Sequence, residues 1–168
     1  MSIAARMRRA ASGLQIPEPE PGGDGLISTL GTIEFQSSFN GGMGWEFEVG
    51  GSDLTAVGLR IYMPSVRSTT AYLWRVSDQQ LLQSAGLDAV ADDWAEVSIT
   101  STVLSASTNY IVSVDIGGSS YYRSDSPPTG YAFNGASYVT GRWGSVGSEY
   151  LGNTADRVYG IADVLVSA

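Results

Sequence analysis

The chain has 168 residues, 43% of them hydrophobic and only 15% charged, and its formal net charge is −8. It contains no cysteine and no histidine, and all nine of its basic residues are arginine. Those absences exclude a disulfide framework, thiolate or imidazole metal sites, and nucleophilic catalysis of the Ser-His-Asp, Cys-His or Ser-Lys kind.

The first predicted element is a basic arm with a linker, residues 1–25. Ile3, Met7 and Leu14 recur at helical spacing with Arg6, Arg8 and Arg9 among them, which predicts a short amphipathic helix over residues 2–14. A helix of that length is marginal alone in water and needs a partner surface. Pro17, Pro19 and Pro21 follow, then Gly22 and Gly23; X-Pro steps are extended and the glycines restore flexibility. The apolar part of the arm is too short and polar for a secretory core. Such a terminus stays ordered only when something holds it, so an assembly with other subunits or with copies of itself is expected. The remaining six arginines face seventeen acids; that acidic body repels phosphate backbones, and nucleic-acid binding by the folded domain is not expected. No apolar run approaches the roughly 20 residues of a membrane span, so no membrane insertion is expected.

From residue 26 to 168 the pattern predicts strands. Residues 32–39 alternate, with Ile33, Phe35 and Ser37 opposite Glu34 and Gln36. Gly41 and Gly42 turn the chain into Trp45-Glu46-Phe47-Glu48-Val49, three apolar residues alternating with two acids. Further runs follow at 54–63, 69–76, 81–87, 94–99, 109–116 and 158–166, with turn residues between them. In the run 109–116, Tyr110, Val112, Val114 and Ile116 oppose Ile111, Ser113 and Asp115. Short strands spaced about ten residues apart, without a long helical period, predict an all-β antiparallel sandwich or barrel. Trp45 and Trp94 lie in alternating strands and are expected in the core, whereas Trp74 has apolar neighbours on both faces of its strand.

Residues 117–153 hold Tyr121, Tyr122, Tyr131, Phe133, Tyr138, Trp143 and Tyr150 among Gly, Ser, Asn and Thr, with Arg123 and Arg142 as the bases. Tyrosine mixed with small polar residues is the make-up of contact surfaces. Sugar rings suit one, because their C–H faces stack on aromatic rings while their hydroxyls hydrogen-bond. The candidate ligand or glycan residues are Tyr121, Tyr122, Arg123, Tyr131, Asn134, Tyr138, Arg142, Trp143 and Tyr150, with Trp143 as the foremost exposed anchor. The competing account places several of these rings in the core or in a subunit interface, since tyrosine also suits strands. Asp88, Asp92 and Asp93 lie close in sequence, but as a solvated acidic loop more readily than a calcium site. No catalytic residue, metal or cofactor is assigned. A glycan hydrolase would need two carboxylates across a cleft, and the adjacent Asp92 and Asp93 diverge.

The order of motifs is itself informative. Trp45 to Val49 is followed by LTAVGLRIY (54–62), Leu73-Trp74, LLQSA (81–85), DDWAEVSI (92–99), VLSASTNYIVSV (103–114) and YGIADVLV (159–166). Over residues 43–166 this resembles a family of β-sandwich domains found beside actinobacterial carbohydrate-active enzymes and in minor tail proteins of phages that infect such bacteria. The resemblance implies a jelly-roll-like sandwich and surface or glycan attachment; it supplies no catalytic residues. The turn Ser77-Asp78-Gln79-Gln80 lacks the glycine usual there, and the stretch between Ile116 and Arg157 is longer and more aromatic. Together with the arm, the resemblance leads to the expectation of a phage virion structural protein, in a tail, fibre or head decoration, that partners other virion proteins and meets host surface glycan. The alternative is an extracellular carbohydrate-binding accessory module.

Overall fold

The computed structural model of the chain describes residues 22–125, 128 and 130–167. The expected helix of the arm, with Ile3, Arg6, Met7, Arg8, Arg9 and Leu14, lies outside the described residues. In chain order the strands are β1 (Asp24–Gly25), β2 (Ile27–Thr29), β3 (Glu34–Phe39), β4 (Gly42–Val49) and β5 (Leu54–Tyr62). Then come β6 (Arg67–Arg75), β7 (Gln80–Ala89), β8 (Trp94–Leu104), β9 (Asn109–Asp115) and β10 (Ser119–Asp125). The chain ends with β11 (Ala132–Phe133), β12 (Ala136–Gly144), β13 (Asn153–Ala155), β14 (Arg157–Tyr159) and β15 (Ile161–Ser167). Among the described residues there is no helix, and the paired strands run antiparallel.

Two larger sheets form the layers: β1-β15-β5-β8 and β13-β12-β4-β9-β6-β7. The chain steps between them, with β4, β6, β7 and β9 in the six-stranded layer and β5, β8 and β15 in the four-stranded one. A small sheet β14-β10-β3 and the pair β11-β2 complete the set. Trp45, Phe47 and Val49 of β4 meet Leu59 and Ile61 of β5 and Ala162 and Val164 of β15 in one core. The Trp45 indole N–H donates to the Ala162 carbonyl at 2.6 Å, tying the layers and satisfying a polar atom that burial would otherwise penalise.

Alternation placed Trp45, Phe47 and Val49 of β4 in the core, but it did not hold everywhere. In β3, Phe35 is 60% exposed although the pattern placed it inward. This strand is the edge of a three-stranded sheet, and its pairing with β10 slips between Ser119 and Tyr121; such a slip re-aims side chains. In β9 both faces are buried: Ile111 and Ser113 are as inaccessible as Val112 and Val114. Its outer face is covered by Tyr72, Trp74 and Leu151, with Tyr150 packed on them, which also settles the place of Trp74. Trp94 is not a core residue. It pairs with Tyr62 across β5 and β8, half-buried on the outward face beneath the Arg60 guanidinium, 4.1 Å from the ring centroid. Pairing starts earlier than residue 26, since Asp24 and Gly25 add β1 to β15.

The turn from β6 to β7 is closed by Arg75, whose Nε and Nη2 donate to the Asp78 carboxylate at 3.0 and 2.6 Å. Gln79 takes φ +57° there, in the left-handed region that glycine adopts without cost. Gln79→Gly is therefore expected to raise stability by about 1 kcal/mol. A urea midpoint equal to or below that of the parent chain would contradict it.

Candidate aromatic binding groove

An open groove of about 450 Å³ is lined by Phe39, Met43, Tyr121, Trp143, Thr154, Ala155, Asp156 and Tyr159. These residues come from β3, β4, β10, β12, β13 and β14 and the Asp156 link. Trp143 stands opposite Met43 in the β12–β4 register and opposite Asn153 in the β12–β13 register. It thus shares the inward face of its sheet with Met43, beside Phe39, Tyr121 and Tyr159 of the small β14-β10-β3 sheet.

Four rings form a continuous edge-to-face row. Trp143 meets Phe39 at 6.3 Å between centroids, Phe39 meets Tyr121 at 6.4 Å, and Tyr121 meets Tyr159 at 6.4 Å. Each ring is thereby held by a neighbour. Trp143 remains 37% exposed, Tyr121 is buried, and Phe39 and Tyr159 are half-buried. Burial, aided by the Tyr159 phenol beside it, raises the Tyr121 hydroxyl above its ordinary range, so it stays a neutral hydrogen-bonding group. Thr154 and Asp156 are exposed on the polar side. Among the described residues no ion pair engages Asp156. The arrangement offers apolar faces for stacking, with a hydroxyl and a carboxylate to take hydrogen bonds.

Of the nine residues expected to contact a ligand, the groove gathers Tyr121 and Trp143. Trp143 lies on a strand rather than in a loop, and keeps its exposed ring. Tyr122 turns to the other side of β10, packs 5.8 Å from Tyr62 and donates its hydroxyl hydrogen to Asp92. That hydrogen bond, followed by burial, pushes its phenol up to about 12. Arg123 is committed to Glu34 through Nε at 2.9 Å and Nη2 at 2.6 Å. Tyr131 stacks on Phe133 at 6.1 Å, and burial pushes its phenol up to about 12. Asn134 fastens the start of the domain, its Nδ2 donating to the Gly25 carbonyl at 3.1 Å. Tyr138 stacks on Trp45 at 6.4 Å, and Tyr150 meets Trp74 edge-to-face at 6.0 Å.

Arg142 is likewise occupied. Its Nε donates to the Glu46 carboxylate at 2.8 Å and its Nη2 makes a second contact there, while Asn109 Nδ2 donates to the other oxygen at 2.6 Å. Glu46 is only 3% exposed, so this guanidinium compensates a buried charge.

The residues that sequence reasoning missed are Phe39, Met43, Thr154, Ala155, Asp156 and Tyr159. They had no shared signal, because they come from two segments far apart in the chain, 39–43 and 154–159. A second open groove, about 420 Å³, is lined by Gly50, Gly51, Ser52, Leu54, Gly135, Ala136 and Ser137. It has no aromatic or charged side chain in its lining, which leaves the aromatic groove as the stronger candidate. The acids Asp88, Asp92 and Asp93 are engaged separately, by Ser68, Tyr122 and the Trp94 amide. Among the described residues no group of three ligating side chains could hold a metal ion.

Neither a protein-family model nor a curated protein sequence matches the chain.

Proposed function

We propose that this chain is a non-catalytic display module, a jelly-roll-like sandwich whose aromatic groove recognises surface glycan, carried on a bacteriophage virion as a tail, fibre or head decoration component. The observation that carries the recognition is the row Trp143-Phe39-Tyr121-Tyr159 beside Thr154 and Asp156. Rings held by one another present a rigid apolar strip, which costs little entropy to use, and sugar C–H faces stack on such strips. Recognition is favoured over hydrolysis because one carboxylate, Asp156, lines the groove, whereas glycoside hydrolysis uses an acid and a second carboxylate.

The virion placement rests on the motif resemblance and on the arm. Ile3, Met7 and Leu14 are apolar residues at helical spacing in the sequence, and Arg6, Arg8 and Arg9 supply charge for docking on other virion proteins. The second reading, an accessory carbohydrate-binding module of an extracellular protein, is favoured by the groove being complete within one chain. Mass spectrometry of purified particles separates them: the chain at fixed copy number supports the virion, and its absence supports the accessory module.

The recognition is tested with immobilised bacterial surface polysaccharides and oligosaccharides. The parent chain is expected to bind a subset of them, and Trp143→Ala is expected to weaken that binding roughly thirtyfold, as for a central aromatic anchor of about 2 kcal/mol. Binding that survives the substitution, or no binding by the parent chain, overturns the proposal.

A further inference from the structure

Building on the glycan reading, we infer that the groove prefers glycans whose hexosamines carry a free amine over their N-acetylated counterparts, and that it disfavours polyuronates. Asp156 is the charged residue of the lining. It is exposed and, among the described residues, without an ion-pair partner.

The arginines close by in sequence do not offset it. Arg123, next to Tyr121 and Tyr122, is held by Glu34. Arg142, next to Trp143, is held by the buried Glu46. Arg157 stands opposite Asp125 in the β10–β14 register and is not part of the lining. A ligand stacked along the row therefore meets one carboxylate that no ion pair holds among the described residues and, beyond it, a domain of net negative charge.

An ammonium group placed within reach of Asp156 gains a charge-assisted hydrogen bond, while an N-acetyl group offers a neutral amide. A carboxylate on each sugar meets repulsion at the same point and no guanidinium to answer it. Apolar stacking is common to all three ligands, so the charge at Asp156 decides among them.

The test measures binding of the full chain to chitosan, chitin and galacturonate oligosaccharides of equal length at low and high salt. The parent chain is expected to bind the chitosan oligomer about two- to fivefold more tightly than the chitin oligomer, the range of an exposed ion pair, with the gap closing in salt. The galacturonate oligomer is expected to bind most weakly. Asp156→Asn should bring chitosan and chitin together, by weakening chitosan binding more than chitin binding. Glu48→Gln, an exposed acid on β4 outside the groove, should leave the preference intact. Equal binding of chitosan and chitin by the parent chain, or a preference that Glu48→Gln abolishes as fully as Asp156→Asn does, overturns this inference and leaves the glycan reading standing. Failure of all three oligosaccharides to bind overturns this inference, and failure of the surface polysaccharides as well overturns the glycan reading.

Discussion

Replacing Arg60 with methionine is expected to destabilise the fold by about 3–5 kcal/mol at pH 7, because the substitution leaves the Asp163 carboxylate buried without its counter-ion. Asp163 is fully buried on β15. Its oxygens accept from the backbone N–H groups of Ile27, at 3.1 and 3.2 Å, and Val164, at 2.8 Å. Arg60 Nε donates to the same carboxylate at 2.9 Å, and Arg60 Nη2 donates to the Ile27 carbonyl at 2.6 Å. The pair thus ties β2 to β15 and β5 of the four-stranded sheet. Burial pushes the Asp163 carboxyl up to about 6 even though Arg60 and the backbone donors oppose the shift.

The sign of the pH effect follows from that direction. A folded-state value above the unfolded one means the group favours folding most below about 4, with the benefit lost as pH rises through about 6. For a carboxyl raised from its ordinary 3.8 to about 6, that loss is about 3 kcal/mol across the window. Without Arg60 the carboxyl rises further, so the penalty of Arg60→Met should be greatest at pH 7 and shrink towards pH 4, where the protonated acid needs no counter-ion. Urea denaturation of parent and variant at pH 4, 5 and 7 measures this. A penalty independent of pH, or one under about 1 kcal/mol at pH 7, would show that the cluster does not hold the strand as described.

The second large effect separates the two roles of tryptophan. Trp45→Ala is expected to cost about 3–5 kcal/mol, since it opens a cavity between the layers and abandons the buried Ala162 carbonyl. Trp143→Ala, at a half-open groove, should stay within about 1 kcal/mol of the parent while losing glycan binding. Denaturation midpoints of both variants give the comparison. Equal losses would place Trp143 in the core and remove the groove's anchor.

The fold was largely legible because half-buried antiparallel strands write their faces into the chain with period two. Trp45-Glu46-Phe47-Glu48-Val49 is the plainest instance: Trp45, Phe47 and Val49 are buried in the core and Glu48 is exposed. Its limits are physical. Glu46 is buried because Arg142 and Asn109 reach it from neighbouring strands, and no local pattern announces a partner almost a hundred residues away. Phe35 reads as inward because alternation takes no account of an edge strand or a slipped register.

The site was legible only in part. Aromatic enrichment in residues 117–153 drew attention to Tyr121 and Trp143, yet the same stretch supplies packing residues such as Tyr131, Tyr138 and Tyr150. Composition marks rings without saying which face of a strand carries them. Phe39 and Tyr159 joined the site through the pairing of β3, β10 and β14, with Asp156 in the link before β14, and that pairing is a tertiary fact. The turn at Gln79 is the opposite case: the missing glycine was visible in the sequence, and the residue takes the left-handed conformation that glycine would favour.

The indole N–H resonances of the four tryptophans, followed by nuclear magnetic resonance during titration with a bound oligosaccharide, test the groove most directly. Trp143 is expected to shift with saturation, while Trp45, hydrogen-bonded to Ala162 in the core, and Trp74, under Tyr150 on the opposite face, stay in place. Saturable shifts at Trp74 or Trp94 with Trp143 unmoved would put the ligand elsewhere and contradict the account.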